Sequence, residues 1–305
     1  MDIHDLKPLA GGFSGETFAG RSAGERVVVR IYAQRGAGRG AAAVEIDAAV
    51  LRLVRGLLPV PEVLEVRRPD PAAAVPGRLV TSFLAGERLD RCLAVMEEPA
   101  RTAIARNLGL VLGRLAQMPM VRAGEFVDPD LRIEPWSQAP DLPAWVRYQR
   151  TGSALADWPA RVYAGLCHTA EGAQELLAEA DRACLVHSDF NPKNLLVNPA
   201  DGELTGLLDW EFAHAGSPVT DLGNLLRFDR DPWFVSAVAD GYLEVAGHLG
   251  EFGGRDRGRL LDLARAADLV ALTELAGRRG QNPVADRADA LLRAIATSGD
   301  LHAVP

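Results

Sequence analysis

The pattern of hydrophobic and polar positions divides the chain into two parts. In the first ninety residues, β-branched and aromatic residues form short runs typical of strands, at residues 26–32, 63–66 and 78–83. Apolar residues recur at helical spacing over residues 41–58, and Pro59 is expected to end that helix. This part is predicted to be a small β-rich lobe with one helix.

Helical periodicity dominates the rest of the chain. Amphipathic runs cover residues 99–118, 260–275 and 285–295, and Pro99 suits the first turn of the first run. Residues 121–160 instead combine several tryptophans with many prolines, which predicts irregular structure there. This part of the chain is therefore predicted to be a larger, mainly helical lobe.

The change of pattern near residues 84–89 predicts the domain boundary. We expect an N-terminal lobe of residues 1–85 and a helical C-terminal lobe of residues 86–305. With 305 residues, 48% hydrophobic and 24% charged, the composition is that of a folded globular protein and excludes wholesale disorder. The length is sufficient for two lobes that each bury a core.

The charge balance bears on which partners the protein can have. Lysine and arginine number 33 and acidic residues 41, so the formal net charge is −8. A field of this sign repels phosphates, which argues against nucleic acid or an anionic membrane as partner and favours a cationic ligand. Neither a signal peptide nor an apolar stretch of the roughly 20 residues needed to cross a bilayer is recognisable. We therefore expect a cytoplasmic protein, as a monomer or a homodimer, with small-molecule partners.

The most informative polar residues lie between two apolar runs. Residues 185–197, LVHSDFNPKNLLV, contain the pattern H-x-D-x-x-x-x-N, formed by His187, Asp189 and Asn194. Asp209 follows the next apolar run, fifteen residues after Asn194. Two strands are expected to deliver Asp189, Asn194 and Asp209 to one edge. There an aspartate could accept a hydroxyl proton beside an amide and a carboxylate, oxygen ligands that suit Mg²⁺. Phosphoryl transfer needs these parts.

The order and spacing of these motifs resemble the aminoglycoside phosphotransferase and choline kinase branch of the protein-kinase-like fold. The resemblance implies an α+β fold of two lobes, with a β-rich N-lobe and a helical C-lobe. It implies that Asp189 is the catalytic aspartate and that Asn194 and Asp209 bind Mg²⁺. It also implies that His187 braces the catalytic loop and that Asp221 holds this loop from below.

The N-terminal lobe carries elements that the same resemblance assigns to the nucleotide. A glycine loop at residues 11–17 lies between predicted strands, and in it Gly12, Ser14 and Gly15 would approach the phosphates. Arg30 stands where kinases place a phosphate-binding lysine, and Glu45 stands on the next helix, where the partner carboxylate is expected. Arginine is a planar fork and not a simple replacement for lysine.

Further motifs concern the nucleotide base and the class of acceptor. Ser82 and Leu84 resemble a hinge whose backbone binds the purine, which leaves ATP and GTP both open. Ser188 replaces the arginine that reads a phosphorylated loop in many protein kinases. The segment from Asp209 to Asp221 is too short for an activation segment and a peptide platform. These departures predict a small-molecule kinase that phosphorylation does not switch.

The acceptor is expected to be held by acidic residues of the C-terminal lobe. The candidate carboxylates are Glu211, Glu244, Asp268 and Glu274. The predicted function is Mg²⁺-dependent transfer of the γ-phosphate of ATP or GTP to a hydroxyl of a small cationic molecule. The first candidate is an antibiotic, either an aminoglycoside or a tuberactinomycin-type peptide, with resistance as the result. The alternatives are a metabolite kinase for choline, homoserine or a sugar, and a nucleotide-binding pseudokinase.

Overall fold

A computed structural model of the chain describes residues 1–9, 17–33, 39–180, 182–249 and 256–305. The described residues form two compact units. Unit 1 comprises Met1–Ile104, Phe126–Glu134 and Asn191–Ala213, and unit 2 comprises Ala105–Glu125, Pro135–Phe190 and His214–Pro305. These units do not follow a single division of the chain at residue 85, because later segments of the chain return to unit 1.

The strands and helices follow in chain order. The strands are β1 (His4–Pro8), β2 (Thr17–Ser22), β3 (Glu25–Tyr32), β4 (Val63–Arg67), β5 (Gly77–Ser82), β6 (Glu87–Arg88), β7 (Glu125–Phe126), β8 (Ile133–Glu134), β9 (Cys184–Val186), β10 (Leu195–Asn198), β11 (Glu203–Leu207) and β12 (His214–Gly216). The helices are α1 (Ala43–Val54), α2 (Leu89–Cys92), α3 (Glu98–Ala116), α4 (Leu142–Arg150), α5 (Ala160–Leu177), α6 (Thr220–Leu226), α7 (Pro232–Ala246), α8 (Arg257–Gly277) and α9 (Pro283–Ser298).

Unit 1 is built on an antiparallel sheet with the strand order β1-β2-β3-β5-β4. A two-residue turn joins β2 to β3, and its residues Ala23 and Gly24 have φ angles of 51° and 87°. Positive φ at both positions is the geometry whose twist matches a hairpin. The alternation along β3 buries Val27 and Val29, which are 1% and 2% exposed, on one face of the sheet. The predicted strands over residues 26–32, 63–66 and 78–83 are confirmed.

The helix predicted over residues 41–58 is α1, and it ends earlier than expected. Val54 is its last residue, and the backbone of Arg55 is already extended. Gly56 follows with a φ of 83°, a left-handed conformation that glycine adopts without a steric penalty. The glycine therefore marks the end of the helix, and the expectation that Pro59 ends it is wrong.

A second, smaller sheet in unit 1 has the order β11-β10-β6. In the β10–β11 hairpin Leu195 pairs with Leu207, and in the β10–β6 pair Leu196 faces Arg88. This pairing joins residues 191–213 to the same unit as the N-terminal sheet. The sheet thereby fixes the segments on which Asn194 and Asp209 lie.

Unit 2 is mainly helical, and α4, α5, α8 and α9 surround its core. The helices predicted over residues 99–118, 260–275 and 285–295 are confirmed as α3, α8 and α9. The irregular structure predicted over residues 121–160 is wrong in part, because α4 lies there. The Asp141 side chain caps α4 by accepting from Ala144 N at 2.7 Å.

Two further findings concern thiols and membranes. Cys92, Cys167 and Cys184 are free thiols. None of the helices in the described ranges combines the length and the hydropathy that a membrane span requires.

Candidate active site

Arg30 on β3 lies between two carboxylates of unit 1. Its Nη1 donates to Asp209 Oδ1 at 2.8 Å, and its Nη2 donates to Glu211 Oε2 at 2.5 Å. The arginine side chain is 23% exposed and that of Glu211 is 13% exposed. Burial by itself lowers the pKa of Arg30, but the two carboxylates outweigh it and the pKa is raised. Arg30 is therefore a fixed positive charge that both carboxylates share.

The conformation of the chain after β11 directs these carboxylates. Asp209 has a φ of 66°, which is uncommon for any residue other than glycine. Such a conformation costs on the order of 1–3 kcal/mol, persists only where the surroundings impose it, and clusters at functional sites. Trp210 is 3% exposed, and its Nε1 donates to Leu207 O at 3.2 Å. The buried indole thus anchors the turn, and the carboxylates on either side of it both reach Arg30.

The charge state of Glu211 reflects its surroundings. Burial raises the pKa of this carboxyl, the Arg30 guanidinium lowers it, and the Asp209 carboxylate raises it again. The net pKa is higher than that of an ordinary glutamate. Glu211 was predicted to contact the acceptor, but the structure places its carboxylate on Arg30.

Asn194 and Asp209 lie close together within unit 1. The N–H of Leu208, directly before Asp209, donates to the carbonyl of Asn194 at 2.9 Å. Asn194 ends a 3₁₀ turn that Asn191 caps by accepting from Lys193 N at 3.1 Å. The hairpin therefore brings together Asn194, the last residue of the H-x-D-x-x-x-x-N motif, and Asp209, the carboxylate that follows the motif.

This arrangement fits Mg²⁺. Asp209 and Glu211 already hold a cationic group between them, and the backbone bond to Leu208 brings Asn194 near Asp209, so the candidate donors are hard oxygens. No group of three or more histidine, cysteine or acidic side chains suited to a metal occurs among the described residues. That is compatible with Mg²⁺, because this ion is usually bound by one or two carboxylates together with water and substrate phosphates.

Unit 2 carries the loop with Asp189, directly after β9. Asp221, in the first turn of α6, accepts from His187 N at 2.7 Å and from Ser188 N at 2.8 Å. Asp189 N donates to His187 Nδ1 at 3.2 Å. His187 and Phe190 are both 0% exposed, whereas Asp189 between them is partly exposed. Two buried side chains thus hold the loop and leave the Asp189 side chain accessible.

The backbone of this loop is also strained. Ser188 has a φ of 69°, and such an angle is less common for a serine than for an aspartate such as Asp209. The two N–H groups that donate to Asp221 hold this conformation, since one belongs to Ser188 itself and the other to the residue before it. Complete burial raises the pKa of Asp221, while His187 and the two N–H donors lower it, and the net pKa is raised.

The ion pair expected between Arg30 and Glu45 is wrong. Glu45 accepts from Arg68, with Nη2 at 2.7 Å, and the Arg68 side chain is 75% exposed. Glu45 is in the first turn of α1 and is less buried than its neighbours Val44 and Ile46. Spacing alone could not show this, because two acidic residues of α1 are two positions apart and point in different directions.

Asp47 is the acidic residue of α1 that sequence reasoning missed. It is 3% exposed and accepts from Tyr32 Oη at 2.6 Å. Arg39 donates to both of its oxygens, at 3.0 and 2.7 Å. Asp47 lies three residues after Val44 and four before Leu51, in the apolar stripe of the helix. A carboxylate within an apolar stripe was the signal that could have identified it.

The other residues predicted to bind the nucleotide lie in the glycine loop and at the end of β5. Gly12, Ser14 and Gly15 lie outside the described residues. Ser82 N donates to Glu62 O at 2.9 Å, so this N–H belongs to the sheet. Leu84 packs over Gly206, where an added Cβ would come within 3.0 Å of its Cδ1. The part that Leu84 and Ser82 play toward a purine stays a prediction.

The structure separates the predicted acceptor carboxylates. Asp268 is 3% exposed and accepts from Arg227 Nη2 at 2.6 Å, and this burial argues against its predicted contact with the acceptor. Its charge neutralises a buried arginine. Glu244 pairs with Arg106 at 2.5 Å, and both side chains are 52% exposed. Glu274 pairs with Arg278 four residues later on the surface of α8. Within unit 2 these three residues therefore each pair with a different arginine and do not form one acidic cluster.

Solved structures of known proteins share this fold. The microcompartment-associated aminopropanol kinase has a TM-score of 0.67 and 20% identity, covering 98% of this chain and 94% of that one. A thermostable mutant of aminoglycoside phosphotransferase APH(4)-Ia, in a ternary complex with ADP and hygromycin B, has a TM-score of 0.65, 20% identity and coverages of 98% and 95%. The GDP complex of wild-type aminoglycoside 2'-phosphotransferase-IIIa has a TM-score of 0.66, 16% identity and coverages of 98% and 95%. The predicted α+β protein-kinase-like fold, with an antiparallel-sheet N-lobe and a helical C-lobe, is confirmed.

Curated relatives match only a short segment. Acyl-CoA dehydrogenase family member 11 of Mus musculus is 42% identical over 45 residues, which are 15% of this chain and 6% of that protein. Its counterpart in Gallus gallus is 29% identical over 69 residues, 23% of this chain and 9% of that protein. The matched segment thus spans less than a tenth of the length of these relatives.

A family match covers most of the chain. Residues 5–261 match the sequence model of the phosphotransferase enzyme family, APH. The matched range includes Arg30, Asp189, Asn194 and Asp209, which are the residues of both units described above. The chain belongs to the APH family of phosphotransferase enzymes.

Proposed function

We propose that the protein transfers the γ-phosphate of ATP or GTP to a hydroxyl group of a small cationic molecule. The observation that carries the proposal is Arg30 between Asp209 and Glu211, at 2.8 and 2.5 Å. A triphosphate needs a fixed cation and oxygen ligands for its metal at one place, and this cluster contains both.

Each residue of the cluster then has a role. Asp209 and Asn194 would hold Mg²⁺, and when bound this ion would neutralise the charge of the triphosphate. Arg30 would bind phosphate oxygens through its planar fork, which matches two oxygens at once. Glu211 would keep Arg30 oriented, since its carboxylate accepts from the guanidinium while Asp209 serves the metal.

Asp189 would be the general base. In the proposed reaction the acceptor oxygen forms a bond to the γ-phosphorus and the bond from this phosphorus to the β–γ bridging oxygen breaks. The hydroxyl proton passes to the Asp189 carboxylate, and the nucleoside diphosphate leaves. The support is the partly exposed side chain on a loop that Asp221 and His187 hold rigidly.

The cationic class of acceptor rests on charge and on the proteins of like fold. The formal net charge of −8 would attract a cation. Hygromycin B, bound to one structure of like fold, and the aminopropanol of the kinase with this fold are amino compounds with hydroxyl groups. An aminoglycoside or tuberactinomycin-type antibiotic is the first candidate acceptor, and an amino-alcohol metabolite, favoured by the likeness to the aminopropanol kinase, is the second. Since Asp189, Asn194 and Asp209 are all present, a pseudokinase is not favoured.

A panel assay tests the proposal. ATP or GTP consumption is followed by enzymatic coupling with three groups of acceptors, each at low and high ionic strength. The groups are basic antibiotics, amino alcohols including choline, and hydroxyl compounds without net positive charge, to which the zwitterion homoserine belongs. A sugar and a hydroxyacyl-CoA represent the last group, the latter because the curated relatives are named for acyl-CoA.

The outcomes separate the parts of the proposal. We expect turnover with a cationic acceptor and a KM that rises with ionic strength, because salt screens the attraction. Turnover with a neutral or anionic acceptor and a salt-independent KM would contradict the cationic class alone. Nucleotide binding without turnover for any acceptor would favour the pseudokinase. Acceptor-stimulated turnover at the wild-type rate in Asp189→Asn would contradict the assignment of the base.

A further inference from the structure

The two residues Arg30 and Tyr32 lie on the same face of β3, because side chains two positions apart in a strand share a face. The guanidinium carbon of Arg30 is 5.5 Å from the centroid of the Tyr32 ring, within the range of a cation–π contact. Tyr32 is 8% exposed, so the ring has a fixed position. The arginine thus has an aromatic support on one side in addition to its two carboxylate partners.

The Tyr32 ring is in turn held by α1. Its hydroxyl donates to Asp47 Oδ2 at 2.6 Å, and both groups are buried. Burial and the nearby Asp47 carboxylate raise the pKa of Tyr32, which therefore stays a hydrogen-bond donor. Arg39 donates to both oxygens of Asp47, at 3.0 and 2.7 Å, and supplies the counter-charge. The four side chains form a continuous series from Arg39 through Asp47 and Tyr32 to Arg30.

We propose that Asp47, acting through Tyr32, positions Arg30 for the nucleotide in this protein. It takes the place expected for Glu45, which pairs with the exposed Arg68 instead. The inference rests on the proposed function, since it assigns to Arg30 the binding of phosphates. Asp47 and Tyr32 are positioning residues, because neither touches the phosphates in this scheme.

The physical consequence concerns how freely Arg30 can move. Without the aromatic support, the carboxylates of Asp209 and Glu211 would be its remaining partners among the described residues, and the guanidinium would be held less firmly in one orientation. A cation–π contact contributes about 0.5–2 kcal/mol, so losing it should weaken nucleotide binding by about two- to thirtyfold. The turnover rate with saturating nucleotide should change much less, because the acceptor and the base are unaffected.

The experiment compares Tyr32→Leu, Tyr32→Phe and Asp47→Asn with Glu45→Gln in the full chain. Glu45→Gln is the matched comparison, because it neutralises a carboxylate on the same helix two residues away. Two readouts are taken: KM for nucleotide against kcat, and the rate at which phenylglyoxal labels Arg30, determined by peptide mass spectrometry. The labelling needs no enzymatic turnover. Circular dichroism establishes that each variant is folded.

We expect faster labelling of Arg30 and a higher nucleotide KM in Tyr32→Leu and Asp47→Asn, with kcat within about threefold of wild type. Tyr32→Phe keeps the ring and should lie between these variants and wild type, a partial rescue that a merely structural role would not produce. If Asp47→Asn does not fold, the two Tyr32 variants decide the question.

Two results would overturn the inference. The first is that Glu45→Gln changes the rate of Arg30 labelling and the nucleotide KM as much as Asp47→Asn or Tyr32→Leu does. The other is unchanged labelling of Arg30 in folded Tyr32→Leu. If the wild-type protein transfers no phosphate at all, the proposed function fails, while the labelling rates still decide whether Tyr32 and Asp47 position Arg30.

Discussion

Arg30 donates to Asp209 at 2.8 Å, so the cation of the central strand and the expected metal ligand after β11 are direct neighbours. A metal ion and a guanidinium both need the lone pairs of this carboxylate. In the proposed scheme a bound metal would therefore compete with Arg30 for Asp209, and a bound triphosphate would relieve the competition by accepting Arg30 on its oxygens. Asp209 is then the residue on which we expect metal and nucleotide binding both to depend.

Replacing Asp209 by alanine should remove magnesium-dependent nucleotide binding. Changes in groups that only orient metal ligands typically cost 10- to 100-fold in affinity, so loss of a ligand itself should cost about 100-fold or more. Asn194→Ala should have a smaller effect, because an amide is a neutral ligand. Calorimetric titration of nucleotide with and without Mg²⁺ measures both variants. Glu244→Gln, in an exposed ion pair of unit 2, is the control. Tight, magnesium-dependent binding by Asp209→Ala would contradict the assignment.

Replacing Asp189 by asparagine should reduce turnover and spare binding. Loss of a general base typically costs a factor of about 10²–10⁴ in kcat. The nucleotide Kd should stay close to that of wild type, because Asp189 faces the acceptor hydroxyl in the proposed scheme. Steady-state kinetics and calorimetry on the same preparations check both statements. Asp157→Asn, whose side chain is 77% exposed, serves as the matched control. Near-normal kcat in Asp189→Asn would show that the base lies elsewhere.

The fold could be predicted from the sequence wherever a local pattern determines the structure. The strand predicted over residues 26–32 is β3, which begins one residue earlier, at Glu25. It could be predicted because β-branched runs flanked by turn residues have few other stable conformations. The end of α1 could have been read from Gly56, which adopts a left-handed φ of 83°. Helix α4 was missed because its tryptophans and prolines suggested irregular structure, although an Asp141 cap and a proline in its first turn mark its start.

The site could be predicted only as far as chain spacing determines it. The H-x-D-x-x-x-x-N pattern and the following carboxylate correctly predict that Asn194 and Asp209 lie near each other, because a short hairpin joins them. Their part in binding a metal stays a prediction. Long-range choices between similar residues could not be predicted. Glu45 and Asp47 lie on the same helix, but their side chains point in different directions. Asp268 is the buried counter-charge of Arg227 and not a surface acid. Tertiary packing decides both.

The free energy of unfolding should depend on pH in a way that shows whether burial raises the pKa of Glu211. Because the pKa of this carboxyl is raised in the folded state, its protonated form stabilises the fold. This contribution is fully present below the unfolded-state pKa of about 4.3 and is lost as the pH rises through the higher folded-state value. Wild type should therefore lose stability relative to Glu211→Gln as the pH rises from the unfolded-state pKa through the higher folded-state pKa.

Urea unfolding of both proteins in a chelator, at a series of pH values, measures this difference. The chelator removes the contribution of divalent metal from the comparison. A wild type that instead gains stability over Glu211→Gln as the pH rises would mean that the ion pair with Arg30 outweighs burial. A difference that does not depend on pH would mean that Glu211 titrates alike in both states.

The buried pair of Arg227 and Asp268 should matter for stability and not for acceptor binding. Asp268→Asn leaves the charge of Arg227 without its buried partner, and breaking such a pair costs about 3–5 kcal/mol. Glu274→Gln, which breaks an exposed pair on the same helix, should cost less than about 1 kcal/mol. Chemical denaturation gives both free energies of unfolding. A folded Asp268→Asn with wild-type stability and a raised acceptor KM would instead restore Asp268 to the acceptor site.

The central claim is that this chain moves a phosphate from nucleotide to acceptor and that Asp189 takes the proton. Phosphorus NMR of Mg²⁺ and ATP or GTP with the best acceptor from the panel measures this directly, because nucleoside diphosphate, inorganic phosphate and a phosphate ester give separate signals. The account predicts equal amounts of diphosphate and new phosphate ester with wild type, and neither with Asp189→Asn over the same time. Inorganic phosphate in place of the ester, or ester formed equally fast by Asp189→Asn, would contradict it.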